Sequence, residues 1–131
     1  MLEVQKYLRN GKTLEDLELE FGINCNVDSE LGVAALNYSM ITSDLRLPLC
    51  QECRGLILEI GTWNVVCRTF KKFFNLDEPN GQLVLQNFDW DSAVVMDKVD
   101  GSLIPVYFYK GEWRVATRGT PTALGPVGNF E

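Results

Sequence analysis

Two stretches of this chain each read as a β-hairpin, and they constrain the fold more than any other feature. The first runs CRGLILEI, the turn GTWN, then VVCRTF, over residues 53–70. The second runs SLIPVYFY, the turn KGE, then WRVATRG, over residues 102–119. In the second, Leu103, Pro105, Tyr107 and Tyr109 share one side, and Ile104, Val106 and Phe108 the other. On the return, Trp113, Val115 and Thr117 alternate with Arg114, Ala116 and Arg118. A period of two with a Gly-containing turn between runs is the signature of antiparallel pairing. Pro105 cannot donate to a ladder, so it implies an edge position or a bulge.

The N-terminal part is different. TLEDLELEF, Thr13 to Phe21, reads as a helix with Leu14, Leu17 and Phe21 on one face. Thr13 is the expected cap, Asp16 the capping-box acid, and Gly22 the C-terminal stop. LGVAALNYS fits a helix or a buried strand, and periodicity does not decide between them. FFNL suggests a short helical turn that PNG then stops, and LVLQNF and AVVMDKV look like strands or strand edges. The Pro- and Gly-rich TPTALGPVGNFE reads as a loop. The expected architecture is a single α+β domain, a helical part followed by antiparallel hairpins around one core.

Charge and composition narrow the chemistry. Twelve Lys and Arg face 18 Asp and Glu, a formal net charge of -6. That argues against an extended nucleic-acid surface but leaves room for one narrow basic pocket. The acids crowd early, in LEDLELEF, whereas Arg68, Lys71, Lys72, Arg114 and Arg118 come later. The absence of histidine removes the commonest general base, His-dependent triads and most catalytic zinc sites. Of Cys25, Cys50, Cys53 and Cys67, the CQEC pair has ligand-like spacing without a second such pair, so unpaired thiols are the simpler reading. NYS at Asn37 is formally a glycosylation sequon, with no secretion signal to give it meaning. MLEVQKYLRNGK lacks the apolar segment of a signal peptide, and no apolar run has membrane length. A soluble, intracellular, cytoplasmic protein is expected.

Lys98 is the candidate reactive group. It follows the mostly apolar AVVMD and precedes VDG, which suggests an amine at the tip of a strand. A lysine with a pKa of about 10.4 needs burial or a neighbouring cation to become a nucleophile. Arg54, Lys72 and Arg118 could hold phosphate oxygens. Gly101 suits either a close ligand or a positive φ. On residue types alone a solvated turn is the simpler reading of KVDG, since DG is a common turn dipeptide.

KVDGSLI resembles the KxDG motif of covalent nucleotidyltransferases, a group that spans RNA ligases, DNA ligases and RNA capping enzymes. ECRGLILEI, RTFKKFFNLDE, MDKVDGSLI and ATRGTP, in that order, look like the N-terminal half of an adenylyltransferase domain. The domain is that of bacteriophage tRNA-repair RNA ligases, and the resemblance covers most of residues 35–120. It implies an incomplete, ATP-grasp-like nucleotidyltransferase fold over residues 1–131. Lys98 would attack the α-phosphate of ATP and carry AMP, with Mg²⁺ as metal cofactor. The AMP would pass to a 5′-phosphate RNA end, tRNA among the candidates, and a 3′-hydroxyl would displace it.

By the same resemblance Arg54 would sit near the phosphates or ribose and Lys72 would contact phosphate. Asp100 and Gly101 would complete the lysine motif, and Met96 would line the adenine pocket. Arg118 falls where the family has a basic residue before Gly-Ser, although Thr120 replaces the serine here. The family's downstream strand motifs and final lysine pair do not follow Gly119. A missing C-terminal segment is therefore the expected partner, and the isolated chain is expected to ligate poorly. A non-catalytic nucleotide- or RNA-end-binding module, a DNA ligase or capping-type enzyme, and an interaction domain with a chance KVDG are the competing readings.

Overall fold

A computed structural model describes residues 1–124. Two helices, α1 (Glu3–Arg9) and α2 (Leu14–Phe21), lead into β1 (Asn24–Asp28) and β2 (Val33–Asn37). A short helix α3 (Pro48–Glu52) precedes β3 (Arg54–Glu59) and β4 (Val65–Cys67). Helix α4 (Pro79–Gln86) and the hairpin β5 (Val106–Tyr109) and β6 (Glu112–Val115) follow. Strands β1 to β4 form one antiparallel sheet in sequence order, and β5 and β6 form a second. The fold is α+β, with N-terminal helices and antiparallel hairpins.

The sheet is the middle of three layers. Ala34, Leu36, Leu56 and Leu58 face the helices, where they meet Val4, Leu8, Leu17 and Ile23. Val33, Ala35 and Ile57 face the other way, onto Tyr107 and Ala116 of the hairpin layer. Residues 33–36 of β2 are all fully buried. A strand covered on both faces shows no alternation, which is why VAAL was ambiguous as sequence.

Local chemistry explains the ends of the elements. Thr13 Oγ1 accepts from the Asp16 N–H at 3.1 Å, and Asp16 returns the bond to the Thr13 N–H at 2.8 Å. That reciprocal pair holds the Asp16 carboxyl below its usual range, the Thr13 backbone N–H being the main cause. Gly22 ends α2 at φ +66°, as a left-handed cap requires. Helix α1, not foreseen in the sequence, is anchored by Glu52 of α3, whose carboxylate accepts from the Val4 N–H at 3.2 Å. Lys110 and Gly111 join β5 to β6 with φ of 51° and 78°. A two-residue loop with both φ positive is the hairpin turn whose twist matches the strands.

The hairpin is pinned to the sheet by polar bonds at its edge. The Tyr109 hydroxyl donates to Glu59 at 2.7 Å, and the Lys110 ammonium donates to the Leu31 carbonyl at 2.8 Å. The sides assigned from the alternation hold over 106–109 and 113–115, whereas residues 102–105, expected in the same strand, carry no ladder. Tyr107 is buried beneath the hairpin, while Val106, Phe108 and Trp113 stand exposed on its outer face.

Four expectations are corrected. PNG starts a helix instead of stopping one, because Pro79 occupies its first turn, where a missing N–H costs nothing. LVLQNF therefore lies mostly in α4, and FFNL forms no helical turn. AVVMDKV is not a strand. Residues 87–105 carry no regular element, and no described strand pairs with 93–99. Of the terminal loop, residues 125–131 lie outside the described residues.

Candidate functional site

The two Arg-Gly words, 64 residues apart in register along the chain, meet at one side chain, Asn37. Its amide oxygen accepts from the Gly55 N–H at 2.9 Å, and its amide nitrogen donates to the Arg118 carbonyl. The β2–β3 register makes this possible. It shifts between Leu36 and Asn37, so Asn37 opposes Arg54 and the Gly55 N–H is released from the ladder. Gly55 has φ +68°, and a Cβ there would lie 3.4 Å from the backbone of Arg118. That distance is an ordinary contact, so the left-handed backbone is what favours glycine here.

This crossing aims two guanidinium groups. Arg54 lies 4.6 Å from the centre of the Phe73 ring, and its carbonyl accepts from the Thr69 hydroxyl at 2.6 Å. Arg118 lies 4.8 Å from the centre of the Tyr38 ring. The Gly119 carbonyl accepts from the Asn26 amide at 3.1 Å, which tethers the same loop to β1. Each arginine is oriented by an aromatic face, an attraction much weaker than a charged hydrogen bond to phosphate.

Two adjoining cavities open around Arg54. One, of 450 Å³, is lined by Arg54, Thr69, Gly101, Pro105, Thr117 and Arg118 among others. The second, of 550 Å³, is lined by Arg54, Phe70, Phe73, Met96, Lys98 and Asp100 among others. Arg54, Gly101 and Leu103 belong to both walls. Volumes of this size suit a small-molecule ligand. Lys98, Asp100, Gly101 and Arg54 therefore share one cavity, and Arg118 joins them through the wall at Arg54 and Gly101. Gly101 has φ +136° with open space where a Cβ would stand, so its backbone conformation, not a close neighbour, selects glycine.

Lys98 lies on the exposed segment between α4 and β5 and not at a strand tip. Lys72 is placed one cavity further on, with Lys71, Gly81 and Phe88, and its ammonium lies 5.0 Å from the Phe74 ring centre. Phe73 is the wall common to the Lys98 and Lys72 cavities. Among the described residues, the ion pairs are Lys6–Glu3, Lys12–Glu20, Arg46–Asp44 and Arg114–Glu112. None of them uses Arg54, Lys72, Lys98 or Arg118.

The thiols stand apart from this chemistry. Cys50 and Cys53 pack in the core under the helices, and burial pushes both upward in pKa. Among the described residues, no three His, Cys, Asp or Glu side chains cluster to hold a metal ion. No helix among them is long and apolar enough to cross a membrane.

Sequence reasoning missed Asn37 and Thr69. Asn37 was visible only as a sequon, and nothing in NYS reveals a side chain that bridges residues 55 and 118. Thr69 sits inside the RTFKKFF word without a distinguishing neighbour.

The comparisons with known proteins place the chain in a family. The model of the RNA ligase family matches residues 52–126, a span that contains Arg54, Lys72, Lys98 and Arg118. A protein of Autographa californica nuclear polyhedrosis virus, named as a bifunctional polynucleotide kinase/RNA ligase, is 37% identical over 134 aligned residues. That alignment covers 94% of this chain and 18% of the relative. RNA ligase 1 of bacteriophage TS2126 is 39% identical over 93 residues, covering 66% of this chain and 23% of that protein. The chain thus spans less than a quarter of the length of either relative. No solved structure matches it. With more than half of its residues matched by the family model, this chain belongs to the RNA ligase family.

Proposed function

We propose that this chain is the lysine-bearing part of an ATP-dependent RNA ligase, of the tRNA-repair type, with Lys98 as the adenylylated residue. The observation that carries the reading is the cavity in which Lys98, Asp100, Gly101 and Arg54 meet, with Arg118 reached through the shared wall. A lysine nucleophile needs a cradle of donors for the phosphate oxygens, and arginine offers them in a planar fork. Family membership supplies the context in which such a cradle serves strand joining.

In the proposed reaction Nζ of Lys98, having lost a proton, attacks the α-phosphorus of ATP. The bond from that phosphorus to the bridging oxygen breaks, and pyrophosphate leaves. Arg54 and Arg118 hold phosphate oxygens while charge builds on the phosphorus. Met96 and Phe73 offer apolar surface to the adenine. Gly101 turns the chain after the lysine, and Lys72, across Phe73, meets phosphate that extends past Lys98. A 5′-phosphate RNA end then takes the AMP from Lys98, and a 3′-hydroxyl attacks that phosphate and expels AMP.

Asp97 and Asp100 line the Lys98 cavity. One or two carboxylates beside substrate phosphates is the usual setting for Mg²⁺, so the residues present fit that ion. When bound, Mg²⁺ supplies charge neutralisation at the triphosphate. The test is incubation with α-labelled ATP and Mg²⁺, followed by denaturing electrophoresis. Label that stays with the protein, is released by acid and is lost in Lys98→Ala supports the reading. Label that persists in Lys98→Ala, or no label in a longer protein that contains this chain, overturns it.

A second reading, a nucleotide-binding module without the chemistry, is favoured by one observation. Lys98 and its neighbours 93–100 are exposed and carry no ladder that would fix the amine. ATP binding that ignores Lys98→Ala, with no covalent product, distinguishes it.

A further inference from the structure

We propose that the ridge from Lys71 to Trp90 is a platform for single-stranded RNA that leads a strand to the Lys98 cavity. This inference rests on the ligase reading above and assigns to it a nucleic-acid path. Lys71, Lys72, Phe73 and Phe88 line one cavity of 270 Å³. Phe73 is also a wall of the Lys98 cavity, so the two cavities adjoin at its ring. At the other end, Phe88 and Trp90 meet edge to face at 4.8 Å.

The rings are open to ligand. Trp90 is 70% exposed, Phe73 48% and Phe88 43%. Bare aromatic surface beside lysines favours one occupant over another. The cores of protein–protein interfaces gather aromatic residues but are depleted of lysine. Surfaces for single-stranded nucleic acid combine rings, on which bases stack, with cations that track the backbone. In a chain of net charge -6, the lining of this cavity holds two adjacent lysines and no acid, although Asp77 and Glu78 follow close in the chain.

Acidic neighbours set the polarity of the platform. Asp89 and Asp91 flank Trp90, and Asp89 accepts from the Asp91 N–H at 3.1 Å. Phosphate is repelled there, so Trp90 offers its ring alone. Phosphate contacts belong to the Lys71 and Lys72 end, beside the Phe73 ring that the Lys98 cavity shares.

The test uses the chain with a 5′-phosphorylated, fluorescein-labelled oligoadenylate of about 12 nucleotides, read by anisotropy across a salt series. Trp90→Ala and Lys71→Ala should each weaken binding about tenfold. Lys71→Ala should also flatten the salt slope by about 0.7, the loss of one phosphate contact. Trp90→Phe should restore most of the affinity, which a change in folding would not do. Binding that is absent in the parent chain, or unchanged in both variants, overturns the platform. So does an effect of the variants on self-association alone, seen by sedimentation.

ATP binding measured on the same samples separates the two readings. ATP bound without RNA sinks the platform only. RNA bound through Trp90, with neither ATP binding nor Lys98 label in a longer protein that contains this chain, sinks the ligase reading and leaves the platform standing.

Discussion

The Asn37 side chain donates to the Arg118 carbonyl while accepting from the N–H of Gly55. One amide thus closes a contact between segments that are remote in the chain, and both candidate arginines flank it. Replacing Asn37 with Ala removes both bonds and should cost about 1–3 kcal/mol in urea unfolding. Asn37→Asp keeps an acceptor for Gly55 and loses the donor to Arg118. It should lose nucleotide affinity as Asn37→Ala does, even where it recovers part of the stability.

Gly55→Ala places a side chain at φ +68° and against the Arg118 backbone. The left-handed backbone alone costs about 1–2 kcal/mol. Gly111→Ala meets a comparable backbone at φ +78° with open space around the Cβ. The expected difference lies in the site. Calorimetry with ATP should show a weaker interaction in Gly55→Ala and an unchanged one in Gly111→Ala.

The docking of the hairpin onto the sheet should depend on pH at both extremes. Hydrogen bonds from Thr62 and then Tyr109 hold the Glu59 carboxyl below its ordinary value. Its contribution is present above the ordinary carboxylate pKa and is lost as pH falls through the lowered one. The Glu59 carboxylate in turn pushes Tyr109 up to about 12. That contribution is complete below the ordinary phenol value of about 10 and fades as pH rises toward the raised one. Thermal unfolding of the parent across pH should show both losses. Tyr109→Phe should shrink both losses without removing either, because burial also raises Tyr7 to about 12 and Thr62 still holds Glu59.

Much of this fold was legible because its signals are local. Thr13, Asp16 and Gly22 bound α2 through bonds within one turn, and Lys110-Gly111 declares its hairpin through backbone twist. The failures share a different cause, which is tertiary context. Residues 33–36 show no alternation because both faces of β2 are covered. Val94, Val95 and Val99 have strand propensity, yet no described strand pairs with them, and Val95 remains 98% exposed. LVL in α4 mimics a strand core because a short helix needs few apolar positions.

The site divides in the same way. Arg54, Lys98, Asp100, Gly101 and Arg118 carry words that can be read in order, and the structure groups them around adjoining cavities. Asn37 could not be read, since its role depends on a register shift between two strands. The position of Lys72 beyond Phe73 also follows from packing, because its backbone N–H is fixed by the Gln51 carbonyl at 2.8 Å.

The most direct measurement is competitive acylation of lysine amines on the folded chain, with and without ATP and Mg²⁺, followed by peptide mapping. The account predicts strong protection of Lys98 by ATP and none at Lys6 or Lys12. Protection should weaken in Arg54→Ala and Arg118→Ala. Equal labelling of Lys98 with and without saturating ATP would contradict it.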